Sequence, residues 1–369
     1  MINLDIDTAL GILKKLGECP STSFHENLVA ECIQGILSTE YIPYEIDSYG
    51  NILARVKGTN PENKPIAFVA HMDHPGFEVD RIGNGQIIAK ALGGVPVASL
   101  KKSIRSFFFD EKTGERYPCS LKSLSSIGDR EVAVDSEREM EIGSPIVFDL
   151  PDFQVDQDFI QMRAMDDLAG CASIISGLMN WHREKPASDV FAIFTRAEEV
   201  GLMGARLLAK DGVLPAESLV ISVETSSAIP GVSLGDGPVI RTGDASYTFD
   251  FEAENVLASA RDRISSRDSS FKCQRQLMSA GSCEAGAFIA NGYKSSGIAF
   301  PLGNWHNATT FIADPDGDVG LEYISTNDFF DGTRLITETP YAAPDERYMK
   351  LRERYVDVPR DVRNRLIST

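Results

Sequence analysis

The sequence predicts an α/β protein with a mostly parallel central sheet flanked by helices, interrupted by an inserted all-β module. Three observations carry this expectation. The run 65–70 is short and wholly apolar, as a central strand covered on both faces requires. Strand-like and helix-like patterns alternate from 159 to 223. Between 77 and 158 the texture changes: short alternating pieces are split by Gly, Pro and Asp clusters, without helical periodicity.

Taken in order, residues 4–16 and 26–37 have helical spacing. Leu4, Ile6, Ala9, Leu10, Leu13 and Leu16 mark the first face, and Leu28, Cys32, Ile36 and Leu37 the second. Ser23 precedes Glu26 by three, a capping-box pattern for the second helix. Strands are expected at 44–47 and 51–56, joined at Tyr49-Gly50. The strand 65–70 ends at His71-Met72-Asp73-His74-Pro75-Gly76. Within the β module, strands are expected at 77–82, 86–91, 103–109, 131–134 and 146–149. Gly93-Gly94 and Lys112-Thr113-Gly114 fit tight turns. The α/β pattern resumes with a strand at 159–162, a helix at 168–181, a strand at 189–195, a helix at 202–210 and a strand at 218–223. Helices at 256–265 and 284–291 follow a further β-rich stretch, and a strand at 296–300 runs into Pro301-Leu302-Gly303-Asn304-Trp305-His306. Residues 340–369 are rich in Arg and Glu and read as a solvated tail helix. The expected division is therefore 1–76 and 159–369 for the α/β domain and 77–158 for the insert.

A chain of 369 residues has ample material for a core. No apolar run approaches the ~20 residues of a membrane span. The start, Met1-Ile2-Asn3-Leu4-Asp5, has neither the basic flank nor the apolar block of a secretory signal. A net charge of −18 disfavours nucleic acid and anionic membrane as partners. The six cysteines, at 19, 32, 119, 171, 273 and 283, contain no CxxC pair, which argues against a zinc ribbon. Reduced thiols in a cytoplasm are the expectation.

Five strand ends deliver ligand-type residues. His71 and Asp73 follow one strand, Asp166 and Asp167 another, and Glu198 and Glu199 a third; Glu224 ends a fourth, and His306 lies beyond a fifth. In a parallel sheet such ends share one edge, so the side chains can converge on one pocket. Two His and several carboxylates without Cys suit two divalent ions, zinc first, with cobalt or manganese as alternatives. A shared carboxylate would hold such ions ~3.5–4 Å apart. Asp73 is close enough to His71 to accept the ring N–H that faces away from a metal. Adjacent Glu198 and Glu199 repel unless a positive charge compensates them, which suggests one on a metal and one free to move protons. His74 is either substrate-facing or a loop residue. His25 and His182 read as structural, Trp305 as a packed aromatic ahead of a pocket wall, and Cys273 and Cys283 as small buried hydrophobes.

The blocks His71-Met72-Asp73-His74-Pro75-Gly76, Met165-Asp166-Asp167-Leu168-Ala169-Gly170 and Glu198-Glu199-Val200-Gly201-Leu202-Met203-Gly204-Ala205, with the late His306, resemble the glutamyl-aminopeptidase or tetrahedral-aminopeptidase family of di-zinc exopeptidases. His71 and Asp166 stand 95 positions apart. The resemblance implies a barrel-like or PDZ-like module in that interval, where the all-β texture falls. It also implies that Asp166 bridges two metals through a block whose Asp166–Asp167 bond is cis, that Glu199 and His306 ligate one metal, and that His71 and Glu224 ligate the other. By the same resemblance Glu198 is the general base, Asp73 orients His71, and Gly281-Ser282 matches a Gly-rich loop near the metals. The implied activity is metal-dependent removal of N-terminal residues from short peptides through a metal-activated water. The implied assembly is a homo-oligomer of dimers, up to a dodecamer. The chain departs from the family at Glu224 (usually Asp), His74 (often Glu), Leu168 (often Arg) and Ala197 (usually Gln). Two other readings stay open: a di-metal hydrolase of N-acyl amino acids, and a non-catalytic metal- or peptide-binding descendant.

Overall fold

The computed structural model describes residues 6–124, 130–342, 351 and 353–368. Two helices, α1 (Ile6–Gly17) and α2 (Asn27–Thr39), precede the strands β1 (Tyr44–Ile46), β2 (Ile52–Val56) and β3 (Ile66–His71). Six strands follow: β4 (Gly76–Gly83), β5 (Gln86–Leu92), β6 (Ile104–Phe109), β7 (Arg116–Ser123), β8 (Glu131–Asp135) and β9 (Pro145–Phe148). The chain returns through β10 (Gln154–Asp156), β11 (Phe159–Met162), α3 (Leu168–Arg183), β12 (Val190–Thr195), α4 (Met203–Asp211) and β13 (Leu219–Ser227). It continues through β14 (Val239–Gly243), α5 (Phe251–Ser265), β15 (Gln274–Leu277), α6 (Glu284–Ala290) and β16 (Lys294–Gly303). Last come β17 (Glu322–Ser325), α7 (Thr326–Ala342) and α8 (Arg360–Ile367).

The main sheet has eleven strands, ordered β1-β2-β12-β3-β13-β16-β17-β11-β10, with β14 and β15 attached beside β16. Strands β12, β3, β13 and β16 run parallel. Every residue of β3 and β12 is buried, the expected signature of central parallel strands. Alternation along β3 splits its side chains between two layers. Ile66, Phe68 and Ala70 face a core closed by α1, α2, α3, α5 and α7, while Ala67 and Val69 face α4 and α6. Phe68 stacks on Trp181 of α3 at 5.2 Å between ring centroids. The expected α/β fold with an all-β insert is the fold observed.

Strands β4 to β9 close into an antiparallel barrel, β4-β5-β8-β7-β6-β9, with its own core around Phe77, Leu121, Val132 and Ile146. Strand β7 is not evident from sequence, because Pro118 falls inside it and Cys119 and Leu121 are its only buried residues. The capping box at Ser23 is not formed. Helix α2 has no side-chain cap; Ser23 Oγ instead donates to Asp73 Oδ2 at 2.6 Å.

The expected tail helix also needs correction. Residues 340–342 belong to α7, a core helix whose last turn holds the buried Pro340. Of the remainder, 343–350, 352 and 369 lie outside the described residues, and α8 covers Arg360–Ile367. Helix α7 escapes sequence reading because its Thr, Asp and Gly content is poor in helix propensity. Its buried hydroxyls bond within the helix, Thr333 to Phe329 O and Thr337 to Thr333 O. Among the described residues no helix is long and apolar enough to cross a membrane.

Helix α7 crosses β16 where Gly332 meets Phe300. A Cβ at Gly332 would lie 2.1 Å from the buried Phe300 ring. Gly332→Ala should therefore cost about 1–3 kcal/mol through overpacking, read as a lower denaturant midpoint at unchanged slope.

Candidate metal centre

Strand β17 is antiparallel to both β16 and β11, so β11 points the same way as the four parallel strands. Five strand ends thus reach one edge of the sheet. His71 closes β3, Asp166 follows β11, Glu198 and Glu199 follow β12, Glu224 lies on β13 and His306 follows β16. The structure brings all six together. His71 Nε2 is 3.4 Å from Asp166 Oδ1 and 3.9 Å from both Glu198 Oε2 and Glu224 Oε2. His306 Nε2 is 3.3 Å from Glu199 Oε1 and 3.6 Å from Asp166 Oδ2. Asp166 therefore stands between two imidazoles with one oxygen toward each.

His71, Asp166 and Glu199 offer ligand atoms that all lie within 4.8 Å of one another. Asp166 Oδ1, Glu199 Oε1 and Glu224 Oε1 are buried without a hydrogen-bond partner. Such atoms cost ~1–3 kcal/mol each unless something satisfies them. Two of them, Asp166 Oδ1 and Glu199 Oε1, face imidazole nitrogens, and together with the histidines they form a donor set that fits a divalent cation.

The turn carrying the paired glutamates is held from outside. Four consecutive amide N–H groups donate to buried or half-buried side chains. Arg196 N donates to Asn51 Oδ1 (3.0 Å) and Ala197 N to Glu26 Oε1 (2.9 Å); Glu198 N and Glu199 N donate to the two oxygens of Asp73 (2.9 and 3.1 Å). This cradle compensates a backbone that enters the left-handed region at Ala197 (φ 53°) and again at Leu202 (φ 61°). Gly204 is required because a Cβ there would lie 2.4 Å from Asn51 Oδ1 and 2.6 Å from Arg196 O.

Asp73 serves the imidazole differently from the expectation. His71 Nδ1 lies 3.0 Å from the Asp73 backbone carbonyl, and the Asp73 carboxylate is 3.6 Å away. That carboxylate is occupied by Ser23 and the two glutamate amides. His74 is fully enclosed; its Nδ1 contacts Asp166 O at 2.7 Å and its Nε2 contacts Asn307 Oδ1 at 3.1 Å, a bracing role. Trp305 lines the pocket, stacks on His306 at 3.9 Å and donates Nε1–H to Asp166 Oδ2 at 3.2 Å. His306 Nδ1 contacts Gly94 O of the barrel at 3.0 Å, and a Cβ at Gly94 would lie 2.7 Å from that nitrogen. His25 joins the two domains, bridging Glu78 and Glu111 of the barrel at 2.8 and 2.9 Å. Cys283 is fully buried and Cys273 half-buried. The Asp166–Asp167 peptide is cis.

Charge explains the ionisation pattern. Burial opposes protonation of His71, but Glu198, Asp166 and Asp73 outweigh it and hold its pKa well above the ordinary value. His306 behaves likewise beside Glu199 and Asp166. Burial raises Glu198 and Glu224 well above the carboxylate range, reinforced by neighbouring carboxylates. Asp166 goes down despite burial, because both imidazoles flank it. The side chains of Glu198 and Glu199 are only 11% and 6% exposed.

Sequence reasoning misses four buried residues here. Glu284 accepts from Thr195 and Ser222, Glu322 accepts three backbone N–H groups, Glu26 supports the glutamate turn, and Arg241 reaches the pocket. No local pattern marks Glu284, Glu322 or Arg241, and the one at Glu26 points to a helix cap instead. A cavity of about 850 Å³ opens from the six converging residues, with Met203, Leu207, Met278 and Ala290 on an apolar side and Arg206 and Lys210 also on its wall.

Residues 127–317 match the M42 glutamyl aminopeptidase family. The chain belongs to that family. It is accordingly a metallo-aminopeptidase, a hydrolase with a candidate metal-binding group at His71, Asp166 and Glu199. A provisionally named aminopeptidase of Acetivibrio thermocellus is 26% identical over 312 residues, covering 80% of this chain and 91% of its own. The TET aminopeptidase of a marine sediment archaeon, Thaumarchaeota archaeon SCGC AB-539-E09, superposes with a TM-score of 0.77 at 21% identity. That match covers 93% of this chain and 98% of the archaeal one. The TET1 peptidase of Pyrococcus horikoshii, described as assembling into a tetrahedron or a large octahedral shell, gives 0.74 at 21% identity, covering 90% and 99%. These solved structures share the fold.

Glu26 is fully buried and also accepts from Arg196 Nε at 2.7 Å. Glu26→Ala would remove the acceptor of Arg196 Nε and of the Phe24 and Ala197 amides, while the guanidinium keeps Phe24 O and Tyr49 O. The expected loss is about 1–3 kcal/mol, measured by equilibrium denaturation.

Proposed function

We propose that this chain removes N-terminal residues from short peptides, using two divalent ions held by His71, Asp166, Glu199, Glu224 and His306, with Glu198 as general base. The observation that carries the reading is the placement of Asp166, one oxygen toward each imidazole. In this assignment Asp166 is shared, Glu199 and His306 complete one site, and His71 and Glu224 the other. Glu224 is a methylene longer than the usual Asp, and its strand position brings Oε2 to 3.9 Å from His71 Nε2. Zinc suits the donor set best, with cobalt and manganese next. When bound, such ions polarise a carbonyl and acidify water toward neutrality.

The protein's own groups account for the rest. The Glu198 carboxylate lines the cavity beside His71. It takes the proton from the water that attacks the scissile carbonyl and returns it to the departing amine. The amides of 196–199, bound by Asn51, Glu26 and Asp73, fix the main chain from which that carboxylate projects. Asp73 orients His71 through its carbonyl and Glu198 through its side chain. The 850 Å³ cavity accommodates a side chain and a short stretch of peptide.

In this reading the barrel of β4 to β9 is the inserted assembly domain, ending before the expected 158 because β10 (Gln154–Asp156) joins the main sheet, and it gives dimers that build a larger closed homo-oligomer. Support comes from the barrel and from the likeness to TET peptidases described as shells. The absence of a long apolar helix among the described residues is compatible with a cytoplasmic setting.

Glu198→Gln should keep metal content near two per chain while hydrolysis of aminoacyl-anilides falls about 100-fold or more; retained turnover removes Glu198 as base. His71→Ala should lower the stoichiometry measured by elemental analysis. Chelation should abolish activity, with recovery on adding Zn²⁺, Co²⁺ or Mn²⁺. Turnover of N-acyl amino acids in place of aminoacyl-anilides would reassign the chain to amidohydrolysis.

A further inference from the structure

Glu322 is fully buried at the first position of β17, outside every ligand assignment above. Its place follows from topology. Strand β17 runs antiparallel between β16 and β11, so it begins at the edge where those strands finish. Its first side chain is therefore adjacent to both departing segments, one leading to Asp166 and the other to His306.

The contacts use both oxygens. Oε2 accepts Met165 N at 2.7 Å and Asp166 N at 3.0 Å, and Oε1 accepts His306 N at 2.7 Å. The His306 segment needs such a hold, because Asn304, His306 and Asn307 have φ of 53°, 57° and 62°. His74 and Asn307 reinforce the same junction: His74 contacts Asp166 O and Asn307 Oδ1, and Asn307 Nδ2 donates to Arg163 O. Among the described residues nothing comparable joins His71 to Glu224, which lie on neighbouring strands already fixed by the sheet ladder.

We propose that Glu322 is a positioning residue, a carboxylate clamp that sets the spacing between Asp166 and His306 and so the metal affinity of the site they share. The proposal rests on reading those two residues as ligands. The geometry demands an acceptor on both oxygens. Gln presents an acceptor on one side and a donor on the other, so it must break one half of the clamp. Asp is acceptor-only but one methylene shorter.

The test uses the full-length protein, with Co²⁺ and Zn²⁺ as probes in competition with a chromophoric chelator. Glu322→Gln and Glu322→Asp should each weaken metal binding about 10- to 100-fold, as loss of outer-sphere support does. The Co²⁺ absorption bands should shift, and at saturating metal kcat should fall more than KM. His306→Ala is the control for the ligand reading. If it leaves metal affinity unchanged, the ligand reading fails and takes the clamp with it. If it weakens binding while either folded Glu322 variant keeps wild-type affinity and an unshifted Co²⁺ spectrum, the clamp alone is overturned. Should Glu322→Gln not fold, Glu322→Asp, which retains both acceptors, decides the matter by the same two readouts.

Discussion

Carboxylates crowded at low exposure repel one another and lose hydration, and this fold gathers Asp73, Asp166, Asp167, Glu198, Glu199, Glu224, Glu284 and Glu322 at one sheet edge. Everything around that edge answers the charge. Asp73 and Glu322 spend both oxygens on backbone amides, and Glu26, just behind, pairs with Arg196. Glu284 takes two hydroxyls. By contrast, Asp166 Oδ1, Glu199 Oε1 and Glu224 Oε1 are left without hydrogen bonds. Satisfied and unsatisfied oxygens thus separate into scaffold and candidate cation site.

Three of the scaffold acids share a way of working. Asp73, Glu26 and Glu322 each accept main-chain amides beside residues in the left-handed region, Ala197 on one loop and His306 on the other. A carboxylate can accept from two directions, so one residue fixes two atoms of a loop at once. Precision at the candidate site comes from amides pinned to acids, with the sheet supplying the starting points.

How much of this is legible in the sequence follows from locality. His71, Asp166, Glu198, Glu199, Glu224 and His306 each sit at or just beyond an apolar strand pattern, so chain order alone places them at one edge. The insert is legible because alternation replaces helical spacing over a long interval. Glu322 opens a strand too short and polar to announce itself, and its meaning depends on β17 lying between β16 and β11, a fact of pairing rather than spacing. Glu26 misleads for a related reason. Its distance from Ser23 matches a cap, yet Asp73 and Arg196, far along the chain, claim both residues.

The barrel interrupts the chain between His71 and Asp166, an interval of 95 positions. Yet its first and last strands pair with each other, Phe77 opposite Ile146 and Glu78 opposite Pro145. Entry and exit are therefore side by side. Once the barrel has folded, the loop-closure entropy that the sheet must overcome is that of a short connection, since the cost depends on the free span between the ends. A module joined this way can grow, shrink or change its outer surface while the spacing of the strand ends that carry His71 and Asp166 stays the same. The outer surface of the barrel and the geometry of the candidate site can then diverge independently within one chain.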